Sequence, residues 1–315
     1  PTAIAAGDTV VLKPAERTPL SAIKLVEVLN EAGLPAGFLN LVLGPGGRVG
    51  DQLLADPRFA AYSFTGSTDV GRRIREMVGV RRTLLELGSN SATIVHSDAD
   101  LDRAAAAIVR GAYSFAGQIC ISVQRVLAHE SIADALVERL RERAATLVVG
   151  DPAADETDVG PMIGEDQAIR ARSWIEEAVK EGAHLVIGGE RDGSFIAPAI
   201  LTNVRPEMKV VCMEVFAPLL TVDTYGPLDE AIAKANDSIY GLQAGVFTRS
   251  VDVAMYAARR LMVGGVMIND VSTYRVDQMP YGGVKSSGLG REGVRYAIEE
   301  LTDPKLIVLN LAAPE

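Results

Sequence analysis

The 315 residues include two cysteines, Cys120 and Cys212, and three histidines. Cys120 closes the stretch Phe115-Ala116-Gly117-Gln118-Ile119-Cys120, a glycine-containing break between a helical run, Leu101 to Ser114, and an apolar strand near Arg125–Ala128. A thiol at the mouth of such a loop can attack a substrate once its thiolate fraction is raised. A free cysteine can equally pack as a small apolar residue. Glu86 ends the apolar run Leu84-Leu85, an unusual place for a carboxylate. In an apolar setting a glutamate acquires a raised pKa suited to general-base work; the alternative is a plain strand-end charge. His96, His129 and His184 have no metal-ligand spacing, so no metal is expected.

These groups need elements to hold them. Asp8–Leu12, Phe38–Leu43, Ala60–Phe64 and Thr83–Leu87 read as strands, alternating with helices over Pro19–Ala32, Asp51–Ala55 and a segment through Val70, Ile74 and Met77. Such alternation argues for a parallel sheet with helices on both faces, which places ligands at the carboxyl ends of its strands. Lys13, Glu16, Gly46, Gly50, Gly66 and Ser67 fall there. The glycine turn Gly44–Gly50 does not have the spacing of the common dinucleotide fingerprint. By itself it is a tight turn, Lys13 and Glu16 are a solvated ion pair, and Ser67 is a helix cap. A second alternating region runs to about Val294. Its expected strands are Ala92–Val95, Val126–His129, Leu185–Ile187, Ile196–Leu201, Leu219–Val222, Gly245–Thr248 and Gly265–Ile268.

Composition bounds the function. With 48% apolar and 23% charged residues the chain is an ordinary globular one, long enough for two domains. A net charge of −10 without a basic cluster argues against a nucleic-acid partner. No apolar run is long enough to span a bilayer, and no basic-then-apolar signal opens the chain. Two cysteines make no disulfide framework, and a reducing cytoplasm suits a free thiol.

Several motifs, in order, make the chain similar to the aldehyde dehydrogenase superfamily over nearly its whole length. Lys13-Pro14-Ala15-Glu16 resembles K-P-x-E, and Phe64-Thr65-Gly66-Ser67 with Gly71 resembles F-T-G-S-x-x-x-G. Glu86-Leu87-Gly88-Ser89-Asn90 stands where the family has E-L-G-G-K, with serine and asparagine replacing the last two residues. Glu214-Val215-Phe216 resembles E-I-F, and the strand ending at Asn269 resembles one near the substrate. Pro280 to Glu292 matches P-[FY]-G-G-x-K-x-S-G-x-G-R-E throughout and is the most specific of the set. The lactaldehyde-, succinate-semialdehyde- and phosphonoacetaldehyde-like branches are similar around residues 270–277.

The resemblance implies an α/β fold: an N-terminally shortened Rossmann-type parallel sheet domain (1–87), a second α/β catalytic domain (88–294), and a tail (295–315) whose strand Lys305–Leu311 pairs with a partner subunit. It implies an NAD-dependent oxidation of an aldehyde to a carboxylic acid, with NADP less favoured. Cys120 would be the nucleophile and Glu86 the general base. Lys13, Glu16, Gly46, Gly50, Gly66, Ser67, Glu214 and Phe216 would hold the dinucleotide. The Glu16 carboxylate can accept from both ribose hydroxyls and repel a 2′-phosphate. Arg275, with Asn269, would meet the substrate, and a guanidinium there suits an anionic aldehyde; a salt bridge to Asp270 or Asp277 is its alternative. Cys212 is read as packing, and the Pro280–Glu292 loop as structural. Serine at position 89 raises the expectation of an altered local backbone. A homodimer or homotetramer is implied for the full-length form. Two other readings stand beside this one: an acyl-CoA-forming variant, and a non-catalytic homologue that keeps the fold as a binding or structural protein. About the first third of a family member, with one oxyanion donor, is expected to lie upstream of Pro1, leaving this polypeptide alone a poor catalyst.

Overall fold

A computed structural model describes residues 1–311. The centre of the molecule is a seven-stranded sheet in the spatial order Gly265–Ile268, Gln243–Phe247, Ala92–Val95, Arg125–His129, Leu219–Tyr225, Ala199–Thr202 and His184–Ile187. All neighbours are parallel except the last pair. Strands buried on both faces read as continuous apolar runs, and Ala92–Val95 and Gln243–Phe247 are buried at every position. One face carries the helices Leu101–Tyr113, Ala133–Ala145 and Glu165–Lys180, whose alanine-rich stripes allow close approach. The other is covered by Leu228–Asn236 and Val251–Arg260.

The earlier part of the chain forms two smaller pieces. Val10–Leu12 pairs in parallel with Leu39–Leu41, and Ala61–Thr65 pairs in parallel with Arg82–Glu86. The free edge of Arg82–Glu86 receives Gly288–Leu289 in antiparallel register, with Gly288 opposite Glu86. A Cβ at Gly288 would lie 2.3 Å from the Leu85 carbonyl oxygen, so only glycine permits this approach.

Some expectations change. The apolar stretch Ile196–Leu201 divides into Phe195–Ile196 and Ala199–Thr202, because Pro198 cannot donate to a ladder. Thr2–Ala6, not anticipated, is a short helix. In this single chain Lys305–Leu311, the segment expected to pair with a partner subunit, has no regular structure and is exposed. Among the described residues no helix is long and apolar enough to cross a membrane.

Candidate active site

Cys120 is placed by an abrupt end to a helix. Leu101–Tyr113 starts at Asp100, whose carboxylate accepts from the Arg103 amide. It ends in three consecutive left-handed residues, Phe115, Ala116 and Gly117, with φ of 52°, 55° and 68°. This conformation is costly for residues with a Cβ and must be held by contacts. Gln118 supplies them: its amide donates to the Phe115 and Pro161 carbonyls and accepts from the Ile163 N–H. Gly117 lies against the backbone of Ala217, where a Cβ would come 2.1 Å from the carbonyl oxygen. The Cys120 loop is therefore packed against the Glu214–Pro218 segment.

That segment is itself pinned from below. The buried Gln124 side chain donates to the Val210 and Met213 carbonyls and accepts from the Val215 N–H. Glu214 then points back and accepts from the Ser89 N–H at 2.8 Å. Burial pushes its carboxyl up, opposed by that hydrogen bond and by Arg170. Neither Gly88 nor Ser89 has positive φ, so serine at position 89 does not alter the backbone in the way expected. Asn90 instead joins a structural network, donating to Val211 O and accepting from Ser238.

Glu86 ends its strand between two neighbours. The Gly66 N–H donates to its carbonyl, and the Leu87 N–H donates to Ser287 O. The side chain is buried, and its Oε2 has no hydrogen-bond partner among the described residues. Burial, helped by the Glu292 carboxylate and opposed by Arg291 and Arg275, pushes the Glu86 carboxyl up to about 8.

Cys120 Sγ lies 3.2 Å from the Tyr281 hydroxyl. The thiol packs with Ile119, Ile121, Leu242 and Tyr281. Burial pushes it up, the Tyr281 hydrogen bond pulls it down, and the carboxylates of Glu214 and Glu86 push it up further. Arg275 lies over the Tyr281 ring at 4.2 Å and pairs with Glu292 at 2.6 Å, not with Asp270 or Asp277. The centre thus gathers Cys120, Glu86, Glu214, Tyr281 and Arg275. The Tyr281 contact was missed because the loop's glycines explained the motif and the hydroxyl carries no sequence signal of its own.

The other expected residues are distributed around it. Phe216 is part exposed with φ 51°. The Asn269 side chain accepts from the Thr248 N–H, and its carbonyl accepts from Arg103. Glu16 accepts from the Gly46 N–H at 3.1 Å, which brings those two together, while Lys13 donates to Pro14 O. The stretch expected to be a tight turn is a short π-helical segment, Gly46–Gly50, that runs into the helix Asp51–Ala55, and Gly50 is its last residue. Ser67 caps the helix Thr68–Val78 by accepting from the Val70 N–H, and Gly66 precedes it. Cys212 is exposed rather than packed. It ends a four-residue helix whose buried position is Val210, so its side chain faces outward.

The chain matches the profile of the aldehyde dehydrogenase family over residues 1–307. It is 53% identical over 309 residues to a 3-sulfolactaldehyde dehydrogenase of Priestia megaterium, covering 98% of this chain and 65% of that one. The chain thus spans about two thirds of that relative's length. Its fold superposes on an NAD-dependent aldehyde dehydrogenase of Sinorhizobium meliloti with TM-score 0.97 and 40% identity, over 100% of this chain and 63% of that one. It superposes on a glyceraldehyde-3-phosphate dehydrogenase of Methanocaldococcus jannaschii complexed with NADP with TM-score 0.93 and 40% identity, over 96% and 67%. The half-buried Cys120 thiol and the buried Glu86 carboxyl lie in a chain whose family profile runs almost from end to end, and the chain belongs to the aldehyde dehydrogenase family.

Proposed function

We propose that this chain carries the catalytic thiol and base of an enzyme that oxidises an aldehyde to a carboxylic acid with NAD. The observation that carries the reading is the convergence of the half-buried Cys120 thiol and the buried Glu86 carboxyl on one loop, Cys120 touching Tyr281 and Glu86 lying against the adjacent Gly282. Cys120 adds through sulfur to the aldehyde carbon, and its backbone N–H helps hold the oxygen that becomes negative. A nicotinamide dinucleotide, when bound, supplies the acceptor for the hydride that this carbon loses. The acyl group then rests on Cys120 as a thioester. Glu86 takes a proton from water, the water oxygen bonds to the acyl carbon, and the carbon–sulfur bond breaks to return the thiolate. A base with its pKa near 8 is half ionised at about pH 8, so hydrolysis should quicken as pH rises toward that value.

The residues present fit a dinucleotide. The helix Thr68–Val78 presents free amides at its N-terminus behind the Ser67 cap, a setting for a pyrophosphate. Lys13 and Glu16 follow the strand Val10–Leu12 and Gly46 follows Leu39–Leu41, its parallel partner, with Gly50 closing the short π-helical segment there. Glu214 beside Gly88 and Ser89, with Phe216 following, would meet the nicotinamide ribose and ring. The Glu16 carboxylate favours NAD over NADP, and Glu16→Gln should narrow the gap; equal use of both by the parent would reject this role. The seven-stranded sheet with its two helix layers is the proposed catalytic domain of residues 88–294, following a dinucleotide domain of residues 1–87.

Arg275 supports an anionic aldehyde, because it lies over the tyrosine that touches the thiol. The Priestia relative is named for a sulfonated aldehyde and the Methanocaldococcus enzyme for a phosphorylated one. Arg275→Ala is expected to raise KM for 3-sulfolactaldehyde while leaving a neutral aldehyde unchanged; equal effects on both would dismiss the clamp. The function itself is tested by dinucleotide binding measured beside aldehyde-dependent NADH formation, with the upstream segment of the Priestia relative joined ahead of Pro1. NADH formation that Cys120→Ala abolishes supports the reading. Binding without NADH formation favours a non-catalytic homologue.

A further inference from the structure

The Cys120 thiol faces an environment hostile to its ionised form. Its packing neighbours are Ile119, Ile121, Leu242 and the Tyr281 ring, and the charged groups that reach it are the carboxylates of Glu214 and Glu86. Among the described residues one side chain contacts Sγ with a polar atom, the Tyr281 hydroxyl at 3.2 Å. That hydroxyl is held from several directions. The Tyr281 and Glu292 backbones exchange hydrogen bonds, Arg275 lies over the ring, and the same Arg275 pairs with Glu292. The side chain is 3% exposed, so it cannot swing away without unpacking the wall.

We propose that Tyr281 is the positioning residue of this centre, its hydroxyl donating a hydrogen bond to the ionised Cys120 sulfur and so holding the thiolate aimed and available. This deepens the nucleophile reading of Cys120 and rests on it. When Cys120 ionises, the thiol proton leaves to solvent. Tyr281 keeps its own proton, because burial holds its phenol well above the ordinary tyrosine value. The phenol is then the donor and the sulfur the acceptor, and a hydrogen bond to a charged acceptor is among the stronger kinds. The motif that Tyr281 occupies admits phenylalanine or tyrosine. Loss of the hydroxyl therefore weakens the thiolate without abolishing it. Phenylalanine preserves the ring beneath Arg275, so the exchange removes the hydrogen bond alone.

The test uses the 315-residue chain carrying Cys212→Ser, in which Cys120 is the only thiol. The rate of alkylation by iodoacetamide is measured against pH, with thermal unfolding recorded in parallel. Tyr281→Phe is expected to move the thiol midpoint upward and to slow alkylation at pH 7 about ten-fold. Replacement of Tyr281 by 3-fluorotyrosine, a stronger donor of similar shape, is expected to move the midpoint downward. A general disturbance of packing would shift both variants the same way. Unchanged midpoints, or shifts in one direction, overturn the inference. Failure of the nucleophile reading is seen separately, as aldehyde turnover that survives Cys120→Ala.

Discussion

Glu86 has a buried carboxyl oxygen that accepts no hydrogen bond among the described residues, and this single atom has consequences for stability as well as chemistry. The folded carboxyl keeps its proton up to about pH 8, whereas the ordinary value for an unfolded chain is 4.5. Between these values the unfolded state ionises and the folded state does not. Stability from this group is therefore complete below about 4.5 and is lost as pH rises through about 8. Glu86→Gln cannot ionise, so the variant should gain in Tm relative to the parent as pH rises across that window. A difference in Tm that does not change with pH would contradict the buried-acid description. The same variant should release NADH in a burst followed by a slow steady state, because acylation survives and hydrolysis does not. Cys120 and Glu86 stood out in the sequence by type and place, a cysteine after a glycine-containing break and a carboxylate closing an apolar run. Tyr281 was visible only as a residue of a glycine-rich loop, since its contact with Cys120 crosses 161 positions. Arg275 was read as clamp or salt bridge; its partner proved to be Glu292, which only the return of the loop onto itself brings near.

At the scale of elements, the site depends on one helix ending sharply. Gly117 combines φ of 68° with an approach to Ala217 that leaves no room for a Cβ. Gly33 also has positive φ, 91°, but nothing lies within 4 Å of where its Cβ would be. Comparing the two separates backbone strain from collision. Gly33→Ala should cost about 1 kcal/mol, the strain alone. Gly117→Ala should cost roughly 2 kcal/mol more and slow alkylation of Cys120, because the loop must move off the Glu214 segment. Denaturant unfolding with thiol alkylation on both variants checks this, and equal effects would mean that the close approach does not hold the loop. Strand and helix periodicity located most elements, since buried parallel strands carry continuous apolar runs. The pairing of Gly288–Leu289 with Arg82–Glu86 was hidden, because two residues rich in glycine make no periodic signal.

At the scale of the whole molecule, the tail stands out by its exposure. Leu306, Ile307, Val308, Leu309 and Leu311 are each at least 72% exposed, a run of apolar side chains with unpaired backbone groups. Such a segment is ready to add to the edge of another sheet. Sedimentation velocity should show the chain self-associating, and deletion of residues 305–315 should shift it toward monomer. An unchanged distribution after deletion would place the association elsewhere. The strand expected there was one that pairs with a partner subunit, and a strand exists only where a neighbour completes its hydrogen bonds.

The central claim is that Cys120 carries the acyl group and Glu86 releases it. Its most direct measurement is the mass of the Glu86→Gln variant, with the Priestia upstream segment joined ahead of Pro1, shortly after mixing with NAD and 3-sulfolactaldehyde. The account predicts a protein heavier by one acyl group, with the added mass on the peptide containing Cys120. Unmodified Cys120 peptide during continued NADH formation, or the acyl group found on Cys212, would contradict it.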